Sequence, residues 1–253
     1  MYLCENRKGR NVKKWTMNNR ICKTLFIDLD DTIWDFRANS MWSLRQVYGE
    51  FSLDRVFSCY EQFQSLYMEA NHELWEAYHH NRVTKEFLIV ERFARPFRQV
   101  GSALSGDMDF IMQLNHRYLD VLAQQKRLVP GAVDLLDYLT ARGYPLYILS
   151  NGFAEVQSRK LHSGGIDRYF KRLILSDEIG ITKPDRRLFD YALQVVGADA
   201  VDTLIVGDNY DADILGAMHA GWRAIYFNRD KLPVTGEQPD YVVTELAEIK
   251  QIL

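Results

Sequence analysis

The chain is poor in cysteine and proline, has no long apolar run, and carries no excess of positive charge. Its three cysteines, Cys4, Cys22 and Cys59, are an odd number without metal-ligand spacing. They argue against a disulfide scaffold or a zinc site and read as thiols of a reducing compartment. No stretch approaches the roughly 18 apolar residues needed to cross a bilayer. With 31 basic and 34 acidic residues and a net charge of −3, a nucleic-acid polymer is not the expected partner. A mononucleotide or sugar phosphate is not excluded, because it needs only a few local cations. Residues 1–22 are basic but lack the apolar core of a secretory leader. They are expected to form a tail, and Met17 is an alternative start. No apolar helical face accompanies the tail's charges, which disfavours a membrane-surface anchor. A cytoplasmic protein, a monomer or homodimer with no membrane partner, is the expectation.

What is present is an ordinary globular composition, 47% hydrophobic and 26% charged, with enough apolar material for a large core. Five short apolar runs read as buried parallel strands: residues 24–29, 146–150, 172–175, 203–206 and 224–227. Helical patterns separate the last four. Pro130-Gly131 opens a helix bearing Leu135, Leu136 and Leu139 that stops at Gly143. A second spans 153–162. Pro184 is placed as the first residue of a third, which ends near Gly197, and a fourth runs over 213–220. Residues 242–253 supply a closing strand and helix. Strand–helix alternation of this kind predicts an α/β fold, a doubly wound parallel sheet.

The first crossover breaks the pattern. About a hundred residues separate the first strand from the second, far more than one helix and two loops need. Val56, Tyr60, Phe63, Tyr67, Ala70, Leu74 and Tyr78 step by three or four and predict one long amphipathic helix. Thr84 can cap the next, and residues 110–122 form another. This division gives a tail (1–22), a core (23–36 and 129–253) and a helical cap (37–128). An insert behind the first strand's carboxyl end is placed to cover a site there.

Chemistry concentrates at the strand ends. Asp28-Leu29-Asp30-Asp31-Thr32 follows the first strand, and three acids in four positions repel one another unless a cation or proton intervenes. An Asx-turn or helix cap explains one of them, but not the group. A second acidic cluster, Asp208 to Asp213, follows the fourth strand, where a capped loop is an equally good explanation of the motif taken alone. Two such clusters at one sheet edge make an oxygen-donor site suited to Mg²⁺. Ser150-Asn151-Gly152 ends the second strand and offers a hydroxyl, an amide and a turn as a phosphate cradle, although such turns are common. Lys183 follows the third strand. A lone lysine is ordinarily a solvated surface residue, but here it could balance a carboxylate and a phosphoryl group.

These motifs resemble those of the haloacid dehalogenase superfamily of phosphohydrolases, from Lys23 to the C-terminus. The resemblance implies a central first strand flanked by the second and fourth. It also implies that Asp28 attacks phosphorus and becomes an aspartyl phosphate, while Asp30 serves as acid and then base. Thr32 and Ser150 hold phosphate or the loop, and Lys183 balances charge. Asp28, Asp208 and the main-chain carbonyl of Asp30 bind Mg²⁺, with Asp213 acting directly or through another ligand. An acid at position 30 argues against carbon–halogen cleavage. Within the superfamily the chain is similar to bacterial pyrimidine nucleotide 5′-nucleotidases in Asn71, Leu74, Trp75, Tyr78, Val83-Thr84 and Arg92-Phe93. The same holds for Ser150 to Phe153 with Gln157, and for 176–179 leading to Lys183-Pro184-Asp185. It departs from them at Asn81-Arg82, which lacks a glycine, and in the acid-rich loop 209–212. Trp75 and Phe153 could stack on a base or seal the insert, though simple bundle core is the favoured reading of Trp75. A small-molecule phosphate monoester is therefore the expected substrate. Alternatives are a sugar-phosphate or phosphoglycolate phosphatase, and a phosphoaspartate signalling module, which would need neither the Asp-x-Asp spacing nor the insert.

Overall fold

The run Thr24–Ile27 is apolar or β-branched on both sides of the chain, and all four residues are buried. Such a strand needs cover on both faces, which a parallel sheet with helices above and below supplies. In the computed structural model, which describes residues 22–253, these residues form β1. The sheet continues with β2 (Leu146–Ser150), β3 (Phe170–Leu175), β4 (Thr203–Gly207), β5 (Arg223–Phe227) and β6 (Tyr241–Val243). All strand pairs are parallel, in the order β3-β2-β1-β4-β5-β6. Alternate residues of β1 serve two cores. Leu25 and Ile27 join Leu146, Ile148, Leu204 and Val206 on one face. Phe26 joins Leu149, Ile205, Leu188, Phe189 and Trp222 on the other. The order reverses on either side of β1, so the crevice at its carboxyl end is where a ligand fits. Residues 1–21 of the expected tail, Met17 among them, lie outside the described residues, whereas Cys22 is buried in the core. No described helix is long and apolar enough to cross a membrane.

The helical insert after β1 begins with α1 (Phe36–Glu50), α2 (Tyr60–His79), α3 (Lys85–Gln99) and α4 (Met108–Ala123), and α5 (Ala132–Ala141) then leads into β2. Its interior is aromatic, with Phe57, Phe63, Tyr67, Phe93, Phe97 and Tyr118 in mutual ring contact. Thr84 does cap α3, its hydroxyl accepting from the Phe87 N–H at 3.2 Å. Asp107 caps α4 in the same way at 3.0 Å.

Five points of difference from the sequence expectations follow from local packing and capping. Helix α1 had no apolar stripe to reveal it, because its buried face carries Asn39, Ser40 and Ser43. These are satisfied internally, Asn39 by the Arg127 carbonyl and Ser40 by the Tyr118 hydroxyl. Val56 precedes α2 and ends a short 3₁₀ turn instead. Pro184 is not the first residue of its helix: α7 (Arg186–Val196) is capped by Asp185, which takes the Arg187 N–H at 2.9 Å. The expected helix at 213–220 is a π-helical turn, Tyr210–Leu215, followed by the single turn α8 (Gly216–His219). The segment after β6 is a 3₁₀ helix, Leu246–Gln251.

Phe93 has no exposed surface and contacts Tyr67 and Tyr118. Phe93→Ala should therefore cost about 3–5 kcal/mol, read as a lower urea midpoint; an unchanged midpoint would contradict this packing.

Candidate active site

The last ladder contact of β1 is the Asp28 N–H, which donates to the Val206 carbonyl of β4 at 2.9 Å. The carboxylate of Asp28 therefore emerges at the sheet's edge with its backbone fixed. Asp31 turns the chain in the left-handed region (φ 59°), which an aspartate tolerates better than most residues. On β4, Gly207 leaves room for the second acid group, since a Cβ there would lie 2.4 Å from the Asp213 carboxylate. The result is that Asp28, Asp208 and Asp213 bring carboxylate oxygens within 4.8 Å of one another.

Lys183 holds this group together. Its ammonium, 2% exposed, donates to Asp28 Oδ1 at 2.7 Å, Asp213 Oδ1 at 2.5 Å and the Leu149 carbonyl at 2.8 Å. All three of its protons are engaged. The lysine's own backbone is clamped by Asn151, which accepts its N–H at 2.8 Å and donates to its carbonyl at 3.0 Å. Thr32 places its hydroxyl 3.1 Å from Asp208 and 3.4 Å from Asp28. Asp213 uses its second oxygen to accept the Asn209 N–H at 3.1 Å.

One ammonium does not neutralise three acids. Burial pushes the Asp28 carboxyl up to about 7, against the pull of Lys183 and helped by Asp213 and Asp30. Asp208 is half-buried, and desolvation together with Asp28 and Asp213 raises it well above the usual range. Burial likewise raises Asp31 to about 6. Burial disfavours the Lys183 ammonium, but Asp213 and Asp28 outweigh it and hold its pKa above the ordinary lysine value. On the insert side, burial and the Lys183 charge bring His79 down to about 4, so it is neutral at pH 7.

Asp30 faces α6 (Ala154–Ser163). Lys160 Nζ lies 2.7 and 3.0 Å from its two oxygens, and Gln157 Nε2 donates to it at 2.9 Å. Lys160 is 3% exposed, between the rings of Trp34 (4.7 Å) and Phe36 (5.4 Å). Gln157 also donates to the Ser150 hydroxyl at 2.7 Å. Its amide occupies the place of a Cβ on Gly152, where the separation would be 2.1 Å, so a side chain at position 152 would displace the Gln157 amide. The sequence reading gave Lys160 no part. The signal lay in its phase: residues 153, 156, 157, 160 and 161 share one helical face, and a lysine on that buried face needs a partner.

A cavity of about 250 Å³ opens above these groups and reaches Asp28, Asp30, Ser150, Asn151, Lys183, Asp208 and Asp213. Its far wall is the insert, which contributes Asn71, Trp75, His79 and Arg92. Trp75 is not bundle core: it is half-buried, lines the cavity and stacks on Phe153 at 5.3 Å and 29°. The contacts that tie the insert to the sheet side include Lys85 to Asp177 at 2.8 Å and His80 to Asp211 at 3.4 Å.

The family model for haloacid dehalogenase-like hydrolases matches residues 22–221. The chain belongs to that family. Among curated relatives of this hydrolase, it is 32% identical to the pyrimidine 5′-nucleotidase PynA of Streptococcus pneumoniae, over 91% of this chain and 94% of that one. It is 30% identical to the pyrimidine 5′-nucleotidase YjjG of Escherichia coli, over 90% and 96%. A magnesium-bound crystal structure of the HAD-hydrolase YfnB from Bacillus subtilis superposes with a TM-score of 0.81 at 28% identity, covering 92% of this chain and 99% of that one.

The acid cluster fits a divalent cation on its own chemistry. The donors are all oxygens, which suits Mg²⁺, and three carboxylates grouped around one ammonium leave negative charge for a cation to balance. Asp213 already has both oxygens engaged, so Asp28 and Asp208 carry the freer ones. Without metal, the folded state binds protons more tightly than the unfolded chain between about pH 4 and 7. This site therefore reduces stability as pH rises through that window, and a cation offsets the loss. Mg²⁺ should raise the melting temperature more at pH 8 than at pH 5. Asp208→Asn should raise the metal-free melting temperature at pH 8 and remove the Mg²⁺ response. A variant that keeps the full Mg²⁺ shift would refute the assignment.

Proposed function

We propose that this hydrolase is a magnesium-dependent phosphatase of small phosphate monoesters, working through a phosphoaspartate on Asp28, and that its substrates are pyrimidine nucleoside 5′-monophosphates. The observation that carries the reading is the buried Asp28 carboxylate. It is ion-paired to Lys183 and grouped with Asp208 and Asp213 at the floor of a cavity whose side wall holds Asp30. A carboxylate with a fixed backbone and a fixed ammonium is positioned as a nucleophile. Residues 37–128 act as a cap over a core of 23–36 and 129–253, excluding water from the closed cavity.

In the first half-reaction an Asp28 oxygen forms a bond to phosphorus as the bond from phosphorus to the leaving oxygen breaks. The Asp30 carboxyl gives that oxygen its proton. In the second half Asp30 takes a proton from water as the water oxygen bonds to phosphorus, and the Asp28–phosphorus ester breaks. Lys183 favours the ionised form of Asp28 against the effect of burial and offsets charge on the phosphoryl oxygens. The Ser150 hydroxyl, the N–H groups of the 150–152 turn and Thr32 hold the phosphate and its loop. Mg²⁺, held by Asp28, Asp208 and the Asp30 carbonyl with Asp213 in support, would supply charge neutralisation at the transferring phosphoryl group. Lys160 and Gln157 aim Asp30. The pyrimidine preference is supported by the two nucleotidase relatives and by the Trp75–Phe153 aromatic wall.

Phosphate release should appear with UMP, dUMP or dTMP and Mg²⁺, and Asp28→Asn should abolish it. No turnover across a phosphate-ester panel by folded, metal-loaded protein would remove the reading. Lys160→Met should lower kcat about tenfold or more with KM little changed, whereas a change in KM alone would deny Lys160 its aiming role.

A further inference from the structure

The insert's wall carries a cation that no acid balances among the described residues. Arg92 on α3 is 3% exposed and lines the cavity. Among the described residues its hydrogen-bond partner is the neutral Asn115, whose Oδ1 takes Nε at 3.1 Å and also Nη2. That leaves Nη1 without a protein acceptor. Rings of Phe93, Tyr118 and Phe153 surround the guanidinium at 5.6 to 6.0 Å, and none of them can accept a strong hydrogen bond. Burying an arginine among aromatic rings with one neutral partner is costly. A ligand that brings an acceptor oxygen to it recovers that cost.

Asn71 lies on the same wall, 6% exposed. Its Oδ1 accepts from the Tyr67 hydroxyl at 3.5 Å, so its amide nitrogen is the end left to face a ligand. The wall therefore offers donors and few acceptors: a guanidinium N–H and an amide N–H. His79, neutral at pH 7, adds no second positive charge. Beside these donors stands the flat Trp75–Phe153 pair.

Building on the nucleotidase reading, we infer that Arg92, assisted by Asn71, is the specificity-determining group of this site and reads a ring carbonyl oxygen of the leaving nucleoside. The ligand class is a planar heterocycle with an exocyclic oxygen acceptor, held against the aromatic pair while its 5′-phosphate meets Asp28. A pyrimidine presents such an oxygen beside its glycosidic bond. Asn115 is the positioning residue that presents the guanidinium edge-on to the cavity.

The test compares UMP with ribose 5-phosphate, which shares the sugar and phosphate but has no base. In the native protein kcat/KM should favour UMP, and Arg92→Gln should reduce the UMP to ribose 5-phosphate ratio by about ten- to a hundredfold. Arg92→Lys, which keeps the charge without the planar fork, should restore only part of it. A ratio unchanged in Arg92→Gln overturns the inference while leaving the nucleotidase reading intact. A native protein that cleaves ribose 5-phosphate but no nucleotide overturns both. Because Arg92→Gln could fail to fold, inhibition of the native protein supplies a second measurement. Uridine should inhibit p-nitrophenyl phosphate turnover competitively, and ribose at the same concentration should not; equal inhibition by the two would overturn the inference.

Discussion

The site depends on one buried ammonium. Lys183 touches Asp28, Asp213 and the Leu149 carbonyl together, and thereby joins the ends of β1, β2 and β4 at a single point. Removing a charge from such a group leaves its partners buried and unpaired, at a cost of several kcal/mol. The surrounding architecture serves to hold that ammonium still. Asn151 grips its main chain from both sides, and two glycines, Gly152 and Gly207, allow side chains to approach where a Cβ would obstruct them. The imbalance that remains, three carboxylates against one lysine, is the reason the site calls for a divalent cation.

The division of labour follows from topology. A parallel sheet whose order reverses on both sides of β1 opens a crevice at one edge, and the chemistry-bearing residues lie on the connections that leave that edge. The helical insert emerges from the first of these connections and returns over the crevice, so the floor and the far wall of the cavity come from different parts of the chain. The floor is acidic and held by hydrogen bonds. The far wall is aromatic and presents donors. A floor of this kind suits the constant part of a family of phosphate esters, and a wall of this kind suits the variable part.

Much of this was legible in the residues. Buried strands announce themselves as continuous apolar runs, so β1, β2 and β4 were placed nearly to the residue, and the central position of β1 agrees with the family resemblance. Asp28 and Asp208 stood out because acids at a strand's end are costly without a counter-charge. The remainder depended on information that one-dimensional patterns do not carry. Helix α1 buries Asn39, Ser40 and Ser43, whose partners, the Arg127 carbonyl and the Tyr118 hydroxyl among them, are far away in sequence. The start of α7 was misplaced at Pro184 because a proline suits a first helical turn as well as the position just before the cap. The turn at Tyr210–Leu215 is π-helical, and the acids and Asn209 that shape it read equally well as an ordinary capped helix. Lys160 was passed over because a lysine in a helix is usually solvated; only its shared face with Val156, Gln157 and Leu161 distinguishes it.

The central claim is that Asp28, and no other acid of the cluster, bonds to phosphorus. Acid quenching of the enzyme during Mg²⁺-supported turnover, followed by borohydride reduction and peptide mass spectrometry, reads that bond directly, because an aspartyl phosphate is reduced to homoserine. The account predicts homoserine at position 28 alone, and only when substrate is present. Homoserine at position 30, 208 or 213, or its absence from an enzyme trapped in steady turnover, would contradict it.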